Sequence, residues 1–152
     1  MATKETIRSE RREEARRMLS GYRAWVTLND QVLKLIENIE SRQHSVTSQI
    51  SETRSGGVRD SMTENLAALE DQEMRLRGQS SCYATRMNLL LDTVNRVVEA
   101  DPLAGQVLAL RYMELGKPMD FNEIAERLEY SHDHIVDKHR QGLDMAADVL
   151  KL

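Results

Sequence analysis

Apolar residues in the second half of the first hundred residues recur in a strict alternation of four- and three-residue steps. This alternation passes through eleven positions between Met62 and Val97, and only two of them, Glu73 and Ser80, are polar. The apolar members are Met62, Leu66, Leu69, Leu76, Tyr83, Met87, Leu90, Val94 and Val97. A mean period of about 3.5 residues is typical of a coiled-coil seam, so the pattern predicts a long helix packed lengthwise against another helix.

A second and less regular seam lies in the first fifty residues. Its members are Tyr22, Val26, Asn29, Leu33, Ile36, Glu40, Gln43, Val46 and Ile50, and the stripe is widened by Trp25, Val32, Leu35 and Ile39. Between the two seams lies Ser55-Gly56-Gly57, a cluster of the kind that breaks helices. We therefore predict an antiparallel helical hairpin over residues 1–100 with a turn at residues 55–58. Such a hairpin would bring residues 5–25 beside residues 90–100.

The pattern changes at Asp101, which is suited to cap a new helix. Two further caps are predicted at Asp120 and Ser131, each of which precedes a run of apolar residues at helical spacing. The run after Asp120 is short and the run after Ser131 is longer, with the small residue Ala125 where the two helices would cross. This layout is that of a helix-turn-helix. The prediction is thus an all-α chain with a second domain over residues 101–152.

Composition agrees with this fold class and excludes others. The 152 residues are 30% charged and 4% aromatic, with seven glycines and two prolines, which disfavours a β-sandwich or barrel. The single cysteine, Cys82, excludes a disulfide framework and is expected to be at least half-buried. No stretch approaches the ~18 apolar residues of a membrane span, and the polar N-terminus is unlike a secretory signal. We expect a cytoplasmic protein without membrane contact.

Catalytic, cofactor and metal sites are not visible in the sequence. Gly56 and Gly57 lack the preceding strand that a phosphate-binding loop follows, and no nucleophile–histidine–acid arrangement is present. His132 and His134 are two residues apart, so on a helix they point to different sides and do not have the spacing of metal ligands. We therefore expect no enzymatic activity, no cofactor and no bound metal.

Charge is distributed unevenly along the chain. The net charge is −4, and residues 101–152 carry ten acidic and six basic side chains, which accounts for all of it. Residues 3–23 carry seven basic and four acidic side chains, a surplus of three positive charges. Bulk charge excludes a histone-like polycation, so any binding to nucleic acid must come from a local patch.

The last fifty residues carry a set of short motifs at characteristic spacings, namely Leu110-Arg111-Tyr112, Glu123-Ile124-Ala125, Tyr130-Ser131, Val136 and His139. With these motifs they resemble region 4 of bacterial sigma factors, which reads the −35 element of promoters. The chain as a whole is similar to phage and prophage transcription regulators of the ArpU and RinA type, which join a long helical segment to a sigma region 4-like end. The resemblance implies a late-gene activator-like regulator that binds double-stranded DNA or contacts RNA polymerase.

The resemblance also implies which side chains would contact DNA. The base-facing positions would be His132, Asp133 and Asp137. The positions near phosphates would be Ser131, His134, Lys138 and Gln141. Histidine can donate to guanine and aspartate can accept from cytosine N4, whereas lysine and serine suit phosphate oxygens. The segment from Ser131 to Leu152 has a charge of −1. We therefore expect residues 8–23, which we call the basic segment and which include Arg12 and Arg16, to supply the phosphate contacts that this helix lacks.

Two other functions fit the same features. A small terminase-like subunit for DNA packaging also combines a helix-turn-helix with coiled-coil oligomerisation. A protein-interaction module without DNA binding would use the acidic last helix against a basic protein surface. In the regulator, we expect the hairpin to mediate either self-association into a homo-oligomer or contact with a partner. The resemblance further suggests an Arg111–Glu123 ion pair, and Tyr112, Phe121 and Tyr130 are expected in the core.

Overall fold

A computed structural model describes residues 2–53 and 56–152, and every regular element in these ranges is helical. The elements are α1 (Lys4–Ser20), α2 (Tyr22–Glu52), α3 (Gly56–Ala100), α4 (Pro102–Leu108), a π-helical segment (Ala109–Met113), α5 (Phe121–Leu128) and α6 (His132–Val149). The all-α prediction is confirmed. No helix of the described ranges combines the length and the apolar character needed to cross a membrane.

The three predicted helix caps form as expected from local chemistry. The side chain of Asp101 accepts a hydrogen bond from the backbone N–H of Ala104, at 3.2 Å. Asp120 caps α5 in the same way at 2.8 Å, and Ser131 caps α6 at 3.2 Å. Each cap satisfies a backbone donor that the first turn of a helix leaves free.

The chain divides into two compact units. The first contains the residues up to Trp25 together with Arg86–Leu152, and the second contains Val26–Thr85. The sequence predicted a boundary between residues 100 and 101. The limits of the two units differ from it, because α1 and the end of α3 belong to the same unit as α4, α5 and α6.

In the second unit, polar side chains of α2 and α3 bind each other along the seam. Ser80 donates to Asn29 at 2.7 Å, Gln43 donates to Glu73 at 2.8 Å, and Arg77 forms an ion pair with Glu40 at 2.6 Å. Taken in the order Asn29, Glu40 and Gln43, each successive α2 residue therefore has its partner earlier in α3. All eleven predicted seam positions of α3 are buried or partly buried.

The predicted seam of α2 is wrong at two positions. Leu33 is 43% exposed and Glu40 is also exposed, whereas Val32 and Ile39 are buried at 7% each. The seam passes through the two residues that were assigned to the flank, because Val32 and Ile39 complete the same alternation of steps that α3 shows. Leu33 and Glu40 each lie one position too far along the helix.

Two other expectations near this unit are corrected. The predicted turn at residues 55–58 falls partly outside the described residues, which exclude Ser55, and α3 already begins at Gly56. Gly57 and Val58 therefore lie in the first turn of α3. Cys82 is exposed and not half-buried, because it is next to the seam position Tyr83 and points away from the seam.

The first unit is built around α6, against which α1 and α4 pack. Its largest fully buried side chains include Leu19 of α1, Leu108 of α4, Ile124 of α5 and Ile135 of α6. Gly105 lies so close to α3 that an added Cβ would meet the Cα of Val98 at 2.5 Å. Helices α1, α4 and α5 thus hold α6 in place, and the side of α6 that they leave uncovered faces solvent.

Candidate nucleic-acid interface

A short, well-defined connection joins α5 to α6. Glu129 adopts the left-handed conformation at φ 61°, which ends α5 and turns the chain sharply. The N–H of Tyr130 then returns to the carbonyl of Ala125 at 3.0 Å, and Ser131 begins the next helix. Because only three residues separate the helices, Ile124 of α5 and Ile135 of α6 share one buried cluster.

The first three turns of α6 present a row of polar side chains to solvent. His132, Asp133, His134, Asp137 and Gln141 are all exposed. The opposite side of the helix faces the core through Ile135, His139, Gly142 and Leu143, which are buried. All five predicted contact residues of this row, and the cap Ser131 beside them, are thus accessible to solvent, and Asp133, Asp137 and Gln141 share one face of α6 at four-residue spacing.

Charge on this row is mostly acidic. The side chain of Asp133 is fully exposed, and its carboxylate lies 3.4 Å from Nδ1 of His132. Asp137 forms an ion pair with Arg140 at 2.5 Å, and both side chains are 54% exposed. Such an exposed pair contributes little to stability and can exchange partners when another charge approaches.

Lys138, predicted to lie near phosphates, is engaged inside the protein. Its Nζ donates to Oδ2 of Asp101 at 2.8 Å, and its side chain is only 21% exposed. This hydrogen bond holds the pKa of the Asp101 carboxyl below its ordinary value. Lys138 therefore ties α6 to the start of α4, a contact that could not be inferred from helical spacing.

The basic segment lies beside α6, as expected, but its five arginines within α1 have carboxylate partners. Arg12 binds Asp144 through two nitrogens, at 2.9 and 3.1 Å, and Arg8 binds the same carboxylate at 2.9 Å. Arg16 forms an ion pair with Glu13 in its own helix, which lowers the pKa of the Glu13 carboxyl. Of the two predicted α1 contacts, Arg12 therefore faces α6 and Arg16 is bound within α1.

A buried polar pair lies behind the exposed row. The hydroxyl of Tyr112 and Nε2 of His139 are 2.6 Å apart, and the edge of Phe121 packs on the same imidazole at a centroid distance of 4.8 Å. Burial, followed by the nearby cation of Arg111, lowers the pKa of His139 to about 4. Burial also raises the pKa of the Tyr112 phenol. Neutral His139 can thus accept a hydrogen bond from the Tyr112 hydroxyl, and its imidazole belongs to the core.

Two expectations about neighbouring side chains are corrected. Arg111 does not pair with Glu123; it donates to the carbonyl of Met119 at 2.8 Å and lies 4.3 Å above the ring of Phe121. Glu123 is exposed at the start of α5. Arg111 closes the loop before α5 because that loop turns a carbonyl, and not a carboxylate, towards the guanidinium.

Tyr130 is a surface residue that sequence reasoning placed in the core. It is 49% exposed, and its ring stacks on that of His134 with a centroid distance of 5.1 Å. Tyr112 is buried as predicted, and Phe121 is partly buried. The position of Tyr130 immediately before the cap Ser131 could have indicated exposure, because a residue in such a tight turn has few neighbours.

Metal-binding geometry is absent from the described ranges, where no three histidine, cysteine or acidic side chains come together. Comparison with known proteins found no family model, no curated protein and no solved structure that matches the chain.

Proposed function

We propose that the chain is a DNA-binding transcription regulator of the phage or prophage type, acting in the cytoplasm, with α5 and α6 as its helix-turn-helix. The single observation that carries this proposal is the exposed row on the first three turns of α6, with the short α5 packed behind it. A recognition helix needs this combination, because its first turns enter the major groove while the preceding helix braces it.

In this proposal, His132, Asp133 and Asp137 face the base edges. Ser131, His134 and Gln141 lie near the backbone, where hydroxyl, imidazole and amide groups donate to phosphate oxygens. Residues 1–100 form the antiparallel hairpin, which mediates self-association. The polar contacts between α2 and α3 in the second unit join helices of one chain and fix the register of these two helices.

A specific observation favours a second candidate, a protein-interaction module. In the first two turns of α6 the exposed charges are Asp133 and Asp137, and Lys138 is already bound to Asp101. An acidic surface of this kind suits a basic protein partner, such as a site on RNA polymerase, and phosphates repel it.

A titration with charge-neutralised variants distinguishes the two candidates. Binding of the full chain to a mixed-sequence duplex would be followed by fluorescence anisotropy at low and rising salt. Asp133→Asn with Asp137→Asn removes repulsion, so DNA binding should tighten several-fold, whereas the exposed Asp71→Asn on α3 is the matched control. Absence of binding at low salt by both wild type and the double variant would contradict the DNA-binding proposal.

A further inference from the structure

A solvent-filled groove of about 970 Å³ runs between the first turns of α1 and the outer flank of α6. Its cationic lining consists of Lys4, Arg8 and Arg12 from α1 and Arg140 from α6. Gln141, one of the exposed residues of the recognition row, lines the same groove. The groove is therefore continuous with the surface proposed to face DNA.

Asp144 on the floor of this groove has two cationic partners. Its carboxylate is 17% exposed and binds both Arg8 and Arg12, each at 2.9 Å. Two guanidinium groups on one carboxylate leave a surplus of one positive charge. Farther along α6, Asp148 is paired with Arg11 at 2.8 Å. Helix α1 thus turns the acidic second half of α6 into a surface with three arginines against two aspartates.

Two cations of the groove are accessible to an incoming anion. Arg8 is 68% exposed although it touches Asp144. Lys4 is exposed, and within the described residues it has no ion-pair partner. Glu5 and Glu10 also line the groove, so its four cations lie among three carboxylates and the groove is not a uniformly basic patch. Selectivity for a phosphate strand must therefore come from position, with Lys4 and Arg8 one helical turn apart on α1.

We propose that this groove holds the phosphodiester backbone of the DNA strand that flanks the recognition row. The inference rests on the proposed DNA-binding function and assigns its backbone contacts to Lys4 and Arg8, with Arg140 and Gln141 opposite. The arginine fork can keep one contact with Asp144 while its exposed nitrogen meets a phosphate oxygen. Backbone contacts of this kind set the register of a recognition helix without reading sequence.

Variants of the two accessible cations test the assignment. Lys4→Ala and Arg8→Ala would be compared with Arg17→Ala, which removes an equally exposed arginine (69%) that is paired with Glu14 in the same helix. The measurement is affinity for a mixed-sequence duplex as a function of salt. Each groove variant should bind several-fold more weakly, with a salt slope shallower by about 0.9. Arg17→Ala should keep the wild-type affinity and slope.

The fold is controlled separately. Lys4 has no ion-pair partner within the described residues, and Arg12 still holds Asp144 when Arg8 is removed, so helical circular dichroism should be unchanged in both variants. If wild type binds the duplex and both groove variants match it in affinity and slope, the groove assignment is overturned and the proposed function stands. If wild type does not bind the duplex at low salt, the proposed function fails and takes the groove assignment with it.

Discussion

Lys138 on α6 donates to the carboxylate of Asp101, the residue that caps α4, at 2.8 Å. The other oxygen of the same carboxylate accepts from the backbone N–H of Ala104 at 3.2 Å. One side chain therefore both begins α4 and fastens it to the middle of α6. The orientation of the proposed recognition helix depends on this contact as well as on the apolar core.

Removal of this contact should cost stability. Lys138→Ala is expected to lower the free energy of unfolding by about 1–2 kcal/mol, because a charge-assisted and largely buried hydrogen bond is lost. Asp101→Asn should lose a similar amount, and the two effects should not add, since both variants break the same pair. Lys34→Ala, at an exposed position on α2, is the control. Chemical denaturation measures the two single variants, the double variant and the control, and additive losses in the double variant would contradict the pairing.

The buried His139 should make stability depend on pH. In the unfolded chain its imidazole titrates near pH 6.5, whereas in the folded protein the pKa is about 4. The unfolded state therefore binds this proton first as the pH falls. Its stabilising contribution is complete above about pH 6.5 and is lost progressively down to pH 4, by about 3 kcal/mol in total.

Denaturation curves at pH 7 and pH 5 test this dependence against two variants. His139→Gln should unfold with a smaller difference between the two pH values than wild type. His44→Gln, at an exposed position on α2, should keep the wild-type difference. An unchanged pH difference in His139→Gln would show that the imidazole is not held neutral by the core.

Two glycines of similar helical setting should respond oppositely to alanine. At Gly105 an added Cβ would lie 2.5 Å from the Cα and 2.7 Å from the N of Val98, and backbone atoms cannot move aside cheaply. Gly105→Ala should lower the melting temperature, at a cost of about 3 kcal/mol. Nothing lies within 4 Å of a Cβ at Gly78, so Gly78→Ala should stabilise α3 by up to about 1 kcal/mol. Equal effects at the two sites would contradict the close approach of α4 to α3.

The corrected seam of α2 predicts a contrast in stability effect between two apolar residues that lie one helical turn apart. Ile39 is 7% exposed and Leu35 is 50% exposed. Ile39→Ala should cost about 2–4 kcal/mol because it leaves a cavity against α3, and Leu35→Ala should cost less than about 1 kcal/mol. Denaturation midpoints of the two variants provide the comparison. A larger loss for Leu35→Ala would indicate that this side chain is covered in the assembled protein.

Local patterns predicted much of the helical structure. The α3 seam was predicted in full because nearly every member is apolar. Only one choice of starting residue then places apolar side chains at the alternating four- and three-residue steps. In α2 the apolar residues Val32 and Leu33 are adjacent and offer two phases, so the choice depends on the partner helix. The caps at Asp120 and Ser131 were predicted because capping uses residues only three positions apart.

Contacts between distant segments could not be predicted in the same way. Arg12 and Asp144 are 132 positions apart, and Lys138 and Asp101 are 37 apart, so no spacing rule joins them. The sequence indicated that the basic segment would lie near the last helix, but not that its arginines would bind aspartates there. Exposure of Tyr130 differs from these cases, because its position immediately before the cap Ser131 is a local signal of exposure, although aromatic residues are often buried.

Selection of DNA from a randomised duplex pool tests most directly whether α6 reads sequence. Wild type should enrich a shared sequence at low salt, and His132→Ala should lose preference at one or two adjacent base pairs while other positions stay selective. His44→Ala should enrich the same sequence as wild type. Recovery of an unenriched pool by wild type, or an identical preference in His132→Ala, would contradict the assignment of α6 as the recognition helix.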